Sequence, residues 1–382
     1  MAVAPAASAV RRVRVPCVAP SSTRAPPPMR SRAARPLLAV FLAAPLVLTR
    51  AASAQGVERI TLRGRDGAIY DPAGRVQLVA GTGSDVTVEL TRGGRDAGQL
   101  RVLTDDVDGR PSLRVVPPGD LVYPGMGRND DAEIRLREDG TFDGSDRGRT
   151  RRVRIRGSGG GAEAWADLVV RVPAGARVKL ATGVGASTAR DVSADLELGT
   201  NAGGISTERT RGRLSVGAGS GRVSVRDAQG EAVTVGTGSG GARVDDVTAQ
   251  RLSVGTGSGG IEGGNLGGGD VRLGTGSGGI RLGAVRARRL QAGAGSGSME
   301  LELARGLETA RIGTGSGGVT LRVPSDLGAT FTLTAGSGGI STDVPVQLVR
   351  QERGRFEGRV GDGSARVQVS TGSGGVRLVP AR

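Results

Sequence analysis

The sequence predicts an all-β chain wound as a single-stranded parallel β-helix, or β-solenoid, with coils of about 18–20 residues. Three observations predict it. The phrase GTGSGG stands at 236–241, 255–260, 274–279 and 313–318, with looser copies starting at Gly199, Gly217, Gly293, Thr334 and Thr371. The step between copies is 18 or 19 residues through most of the array and about 20 near its end. Around each phrase, aliphatic residues alternate with polar ones at the period of a strand. Finally, large aromatics are scarce: Trp165, Tyr70, Tyr123 and four Phe. A thin core of Val, Leu, Ile, Ala and Thr suits such a composition, because each coil needs only a few small inward side chains.

One unit shows the grammar. In 252–261, alternation puts Leu252, Val254, Thr256 and Ser258 on one face; Gly259 and Gly260 bend the chain, and Ile261 restarts the inward phase. Equivalent inward pairs are Val233/Val235 then Ala242/Val244, Val271/Leu273 then Ile280/Leu282, and Ala310/Ile312 then Val319/Leu321. Two short strands and two turns fill such a coil, whereas a propeller blade needs about forty residues. Stacking coils ~4.8 Å apart sets Thr above Thr and Gly above Gly. Glycine is expected where bends need positive φ or where a Cβ would crowd the next coil. The Thr/Ser column is expected inside, as a hydroxyl ladder satisfied from coil to coil. An outward Thr/Ser face for an ordered surface such as ice or glycan is the competing arrangement, and it runs against this phase.

Residues 1–54 read as a leader containing a secretory signal peptide. Arg30, Arg32 and Arg35 precede an apolar run over 36–49, too short to span a membrane, and Ala52-Ser53-Ala54 offers small residues for cleavage before Gln55. Met29 would give a leader of ordinary length and is expected to be the true start. Arg11-Arg12 lies too far from the apolar run to be a twin-arginine signal. The single cysteine, Cys17, leaves with the leader, so the exported chain has no disulfide or thiol chemistry. Eight of the 52 basic residues and no acid lie in 1–54, which lowers the net charge of +15 to +7 for the exported part.

In the exported chain, residues 55–116 read as early β coils or a strand-built cap. Strand patterns stand at 57–62, 76–79, 86–90, 99–103 and 112–116. Residues 117–150 break the pattern and read as a polar, Gly/Asp-rich insertion loop. Its competing reading is a cation site built from Asp130, Asp131, Asp143 and Asp146, whose spacing matches no calcium-loop template. The repeat array spans 151–343, and Trp165 is expected to cap the core at the solenoid's mouth. Residues 344–382 read as a charged excursion over 347–362 followed by a closing coil that covers the end of the stack, the edge most exposed to aggregation.

The run 166–175 (ADLVVRVPAG), the repeated TGSGG followed by Ile or Val, and the Val323-Pro324 segment, all behind a signal peptide, resemble the bacterial putative-adhesin family of exported β-strand-repeat proteins, a domain of unknown function. The resemblance covers 56–382 and is strongest over 166–380. It implies an exported, right-handed β-solenoid and brings no catalytic residues.

The residues bound the function further. With no histidine anywhere, Ser-His-Asp and Cys-His nucleophiles, His-ligated zinc or haem, and His acid–base catalysis are excluded. No catalytic, cofactor-binding or metal residue is assigned, and no cofactor is expected. Aromatic platforms for nucleic acid are missing. The expected function is a non-enzymatic extracytoplasmic adhesin or envelope interaction module, periplasmic or secreted. Its expected partner is a surface glycan or an envelope protein; the chain itself is expected to be a monomer without a membrane span. The alternative is a polysaccharide-acting β-helix lyase or hydrolase. Asp245, Asp246 and Asp270 lie on neighbouring coils but at different points of the repeat; two carboxylates ~5–9 Å apart in one cleft would favour that enzyme. A calcium-binding roll lacks its regular Gly-Gly-x-Gly-x-Asp, which appears only sporadically, as at Gly269-Asp270.

Overall fold

A computed structural model describes residues 56–142 and 149–381, so the leader, with Met29 and Cys17, lies outside the described residues. Alternation decides the local structure. Leu252, Val254 and Thr256 are buried, whereas Arg251, Ser253 and Gly257 between and beside them are exposed. Extended strands that each hide one aliphatic face cannot stand alone, so they stack. Parallel ladders join Val178 to Leu196, Leu214 to Val233, Leu252 to Val271 and Leu290 to Ala310. A second row runs through Ile205, Val223, Ala242, Ile261, Ile280, Met299 and Val319. Each fully buried Val, Leu or Ile contributes on the order of 1.5–3 kcal/mol, and the sum over neighbouring coils holds the stack.

The middle coils have one side more than the two expected. Ala228, Val247, Leu266 and Val285 form a third buried row. The corner before it is a single left-handed residue: Asp191, Arg209, Asp227, Asp246 and Asn265 have φ of 58°, 51°, 48°, 56° and 53°. Asp and Asn are the side chains that enter this region most readily, because they can hydrogen-bond locally. The corner costs one residue, and the inward phase resumes directly after it.

The N-terminal segment supplies both a coil and a cap. Strands Asp66–Ala73 and Val76–Gly81 form a coil in parallel register with the array, Ile69 on Leu180 and Leu78 on Ala189. Over it, strand Trp165–Pro173 lies between Val76–Gly81, to which it is parallel, and Val86–Gly93, to which it is antiparallel. Strand Glu58–Leu62 closes this end, antiparallel to Val86–Gly93.

The insertion is not a loop. Strands Leu121–Val122 and Asp131–Arg137 join Thr150–Arg156 and Ala162–Glu163 in a separate four-stranded sheet. Ala132, Ile134 and Leu136 alternate with Glu133, Arg135 and Arg137 and are buried, which is why the segment folds as a strand despite its Gly/Asp-rich surroundings. The boundary expected at 150/151 falls inside a strand.

The C-terminal coil also departs from expectation. Strand Ala365–Thr371 pairs in parallel with both Thr309–Thr314 and Ala329–Ala335, and Val376–Pro380 pairs with both Val319–Val323 and Ile340–Thr342. The last coil in sequence is therefore threaded between two earlier ones rather than laid over the end. Its inward residues Val367, Val369, Val376 and Leu378 bury against aliphatic rows on both sides, which a terminal position would not provide. The end itself is covered by the hairpin Gln347–Glu352 and Arg355–Val360, antiparallel to Ala329–Ala335.

Candidate functional site

The GTGSGG phrase forms one continuous corner of the array. Its Thr points in: Thr237, Thr256, Thr275, Thr314 and Thr371 are buried. Their hydroxyls answer main-chain groups of the bend rather than one another. Thr275 Oγ1 donates to the Gly259 carbonyl at 3.0 Å and accepts from the Gly278 amide at 3.0 Å; Thr371 does the same with Gly317 and Gly374 at 3.1 and 3.0 Å. The Ser leaves the inward phase. Ser258 and its counterparts Ser239, Ser277, Ser296, Ser316, Ser337 and Ser373 are exposed, because the chain already turns at the preceding glycine.

The glycines of the phrase fall into two kinds. A Cβ on Gly238 or Gly257 would lie 2.5 or 2.3 Å from a carbonyl oxygen of the preceding coil, and one on Gly240 or Gly259 would lie 2.0 Å from another. Crowding, not positive φ, requires these. The first glycine is different. At Gly217, Gly236, Gly255 and Gly274 a Cβ would meet nothing within 4 Å, and none of the four has positive φ. Neither backbone conformation nor packing calls for glycine there.

That column is the floor of a long shallow face. Over Gly255, Gly274, Gly293 and Gly313 it opens as a cleft of about 750 Å³ that ends at Ser370 and Thr334. Two residues upstream, on the same outward phase, stand Ser253, Arg272, Gln291, Arg311 and Gln368, in register from coil to coil. Among the described residues, no carboxylate lines this cleft. Toward the N-terminus the same column, through Gly236, Gly217 and Gly199, runs under the insertion sheet, where Ile134, Arg137 and Phe142 overhang a second space of about 650 Å³. Tyr70 and Phe142 meet edge to face there, centroids 6.0 Å apart, and close the head of the groove over Ala181.

The acids singled out from the sequence are not gathered into a site. Asp130 Oδ2 accepts from the Gly127 amide at 3.1 Å, Asp131 is exposed, and Asp143 and Asp146 lie outside the described residues. Asp245 pairs with Arg243 at 2.8 Å, and Asp246 is a left-handed corner that accepts from Asn265 Nδ2 at 2.9 Å. Asp270 pairs with Arg289 of the next coil, and that hydrogen bond holds its carboxyl below the usual range. Glu231 is lowered likewise by Arg213 first and then by Arg251, at 2.5 and 2.6 Å. Trp165 sits half-buried in the N-terminal cap, stacked edge to face on Tyr123 of the insertion at 5.8 Å. Among the described residues, no group of His, Cys, Asp or Glu could hold a metal ion. The open glycine column escaped sequence reading because all glycines of the phrase look alike in one dimension.

Residues 164–379 match Toastrack DUF4097, a domain of unknown function. The chain belongs to this family. The array from residue 164 on, the threaded coil to residue 379 and the floor of the cleft fall inside the Toastrack match, whereas the insertion strand Asp131–Arg137 lies outside it. No curated protein matches the chain in sequence. Among solved structures it is similar to one described as a putative cell adhesion protein from Clostridium sporogenes, at 10% identity over 85% of this chain and 98% of that one, with a TM-score of 0.21. A putative lipid binding protein from Parabacteroides distasonis matches at 12% identity over 85% and 96%, TM-score 0.40. A putative adhesin from Bacteroides fragilis matches at 12% over 84% and 95%, TM-score 0.32. Among the described residues, no helix is long and apolar enough to cross a membrane.

Proposed function

We propose that this Toastrack chain is a non-enzymatic, exported β-solenoid that serves the cell envelope as an adhesive or structural interaction module. Its coils of 18–20 residues are taken to wind right-handed, with residues 1–54 removed as a leader and the translated chain starting at Met29. The observation that carries the reading is the cleft over Gly255–Gly274–Gly293–Gly313: an extended, open, largely apolar surface edged by Ser, Thr, Gln and Arg residues. Such a surface suits a polymer laid along it, a glycan or a protein segment, better than a small molecule, which prefers an enclosed pocket. Among the described residues, the polysaccharide lyase or hydrolase reading finds no pair of carboxylates facing this cleft.

The test is a glycan and matrix-protein binding array on the purified protein, with Val254→Asp as the unfolded control, since Val254 is buried in the array. Saturable binding lost in the control supports the adhesive role; an absence of binding by a protein with a cooperative melt sinks that role and leaves a structural one in the envelope. N-terminal sequencing of the protein recovered from periplasm and medium tests the leader: a chain that still begins upstream of Gln55 contradicts it. Sizing in solution tests the expected monomer.

A further inference from the structure

The C-terminal end of the stack finishes in an open strand edge. Strand Gln347–Glu352 pairs on one side with Arg355–Val360, antiparallel, and with no other strand among the described residues. All six of its residues are exposed. Among the described residues, three large apolar side chains are more than half exposed: Val57 at 56%, Leu348 at 56% and Val349 at 66%. Two of the three are neighbours on this strand. Val57 precedes the strand at the other end, Glu58–Leu62, but that strand buries Leu62 and half-buries Ile60 against its own coil. The C-terminal edge has no such cover.

An unpaired row of backbone amides and carbonyls beside exposed apolar side chains is a template for another strand. Natural edges are guarded by charge, and by bulges that break the ladder. Here the ladder does shift between Leu348 and Arg350, yet the residue set out of register, Val349, is the most exposed of the three apolar ones. The charges do not guard the edge either. Arg350 and Glu352 have opposite signs and bond to each other, Arg350 Nε donating to Glu352 Oε1 at 2.8 Å. The strand is therefore neutral in a chain whose net charge is +15.

The geometry points to a second copy of this chain as the occupant of that edge: two stacks meet end to end through Gln347–Glu352, antiparallel about a two-fold axis. The order of the charges favours the copy over another strand. Read antiparallel to itself, Arg350-Gln351-Glu352 sets Arg350 against the partner's Glu352 and Glu352 against the partner's Arg350, with Gln351 on the axis. A two-fold contact of this kind closes on itself, so it gives a dimer and no fibre. Six residues a side is well short of the roughly 20–30 a side of a stable interface. The pair therefore forms as concentration rises, and the monomer expected from the sequence is the dilute state. This goes beyond the adhesive reading and does not depend on it.

Sedimentation equilibrium of the purified protein over a concentration series, with hydrogen exchange at both ends of the series, tests the assignment. A monomer–dimer equilibrium is expected, with the new amide protection at high concentration confined to 347–352. Arg350→Glu makes the edge acidic and Glu352→Arg makes it basic. Each is expected to weaken the dimer about tenfold, because like charges then face each other. Mixing the two variants is expected to restore it as a heterodimer. Both side chains are exposed, so the melting temperatures should change little; Val349→Lys, equally exposed, reads the same loss should either charge variant fold poorly. A protein that stays monomeric to millimolar concentration overturns the assignment. So does a dimer whose protection lies elsewhere, or one that neither charge variant weakens. Loss in both variants without rescue in the mixture also overturns it, since the edge would then not be meeting its own copy.

Discussion

Ile312 pairs in register with Val369, and Val369 in turn with Leu333, so the last coil of the chain separates two coils that are neighbours in sequence. The stack can be completed only after residues 365–380 have returned, which makes the C-terminal end a joint of long-range contacts rather than a simple extension of the repeat.

Val369→Asp, placing a charge at a site 2% exposed, should therefore unzip both flanking coils. Hydrogen exchange should show protection lost in Thr309–Thr314 and Ala329–Ala335 alike. Loss confined to one of the two would mean that the coil stands at the end of the stack after all.

The buried threonines separate hydroxyls that are used from those of Thr200, Thr207 and Thr210, which have no hydrogen-bond partner among the described residues. Thr275→Val strips the partner from the Gly278 amide and a donor from the Gly259 carbonyl, and should cost about 1–3 kcal/mol. Thr200 is buried, yet its hydroxyl has no partner, so Thr200→Val should be neutral or stabilising. Denaturant melts of the two variants decide it. Equal costs would show that the ladder depends on shape and not on hydrogen bonding.

The inward rows of the array were legible because the GTGSGG step and the alternation around Val235, Val254 and Leu273 state the same register twice. What stayed hidden was relational. Ala365–Thr371 reads as a strand of the array, but its sequence carries the same register signal whichever coil it joins, so its threading between Thr309 and Thr330 had no signature. Ile134 and its alternating neighbours did carry a strand signal, outweighed by the glycines and acids on either side. Within the repeat phrase, Gly236 and Gly240 are chemically identical, and only the coil beneath tells them apart.

That difference is measurable. A Cβ on Gly240 would sit 2.0 Å from the Gly221 carbonyl oxygen, so Gly240→Ala should force coils apart at about 1–3 kcal/mol. Gly236→Ala meets open space and narrows the unfolded ensemble, and should stabilise by about 0.4–1 kcal/mol. Paired chemical denaturation reads both signs. If Gly236→Ala destabilises as much as Gly240→Ala, the open glycine column is structural.

Asp71 sets the pH dependence at the N-terminal junction. It is fully buried in the first coil, opposite Thr182, and among the described residues the nearby Ala73 amide is the only donor acting on its carboxyl, short of good hydrogen-bond geometry. Burial pushes its pKa well above the usual carboxylate range; the Ala73 amide opposes the shift and the charge of Asp167 adds to it. The folded state therefore holds a proton that the unfolded chain releases near its ordinary value of about 3.9. Stability contributed by this group is fully present below that value and declines as pH rises through the raised folded pKa. Asp71→Asn keeps the shape without the ionisation. It should leave the melting temperature nearly unchanged at pH 4, raise it at pH 8, and flatten the profile between. A wild-type profile that rises steadily from pH 4 to pH 8 with no change in the variant would show that Asp71 is ionised in the folded chain and that burial does not govern it.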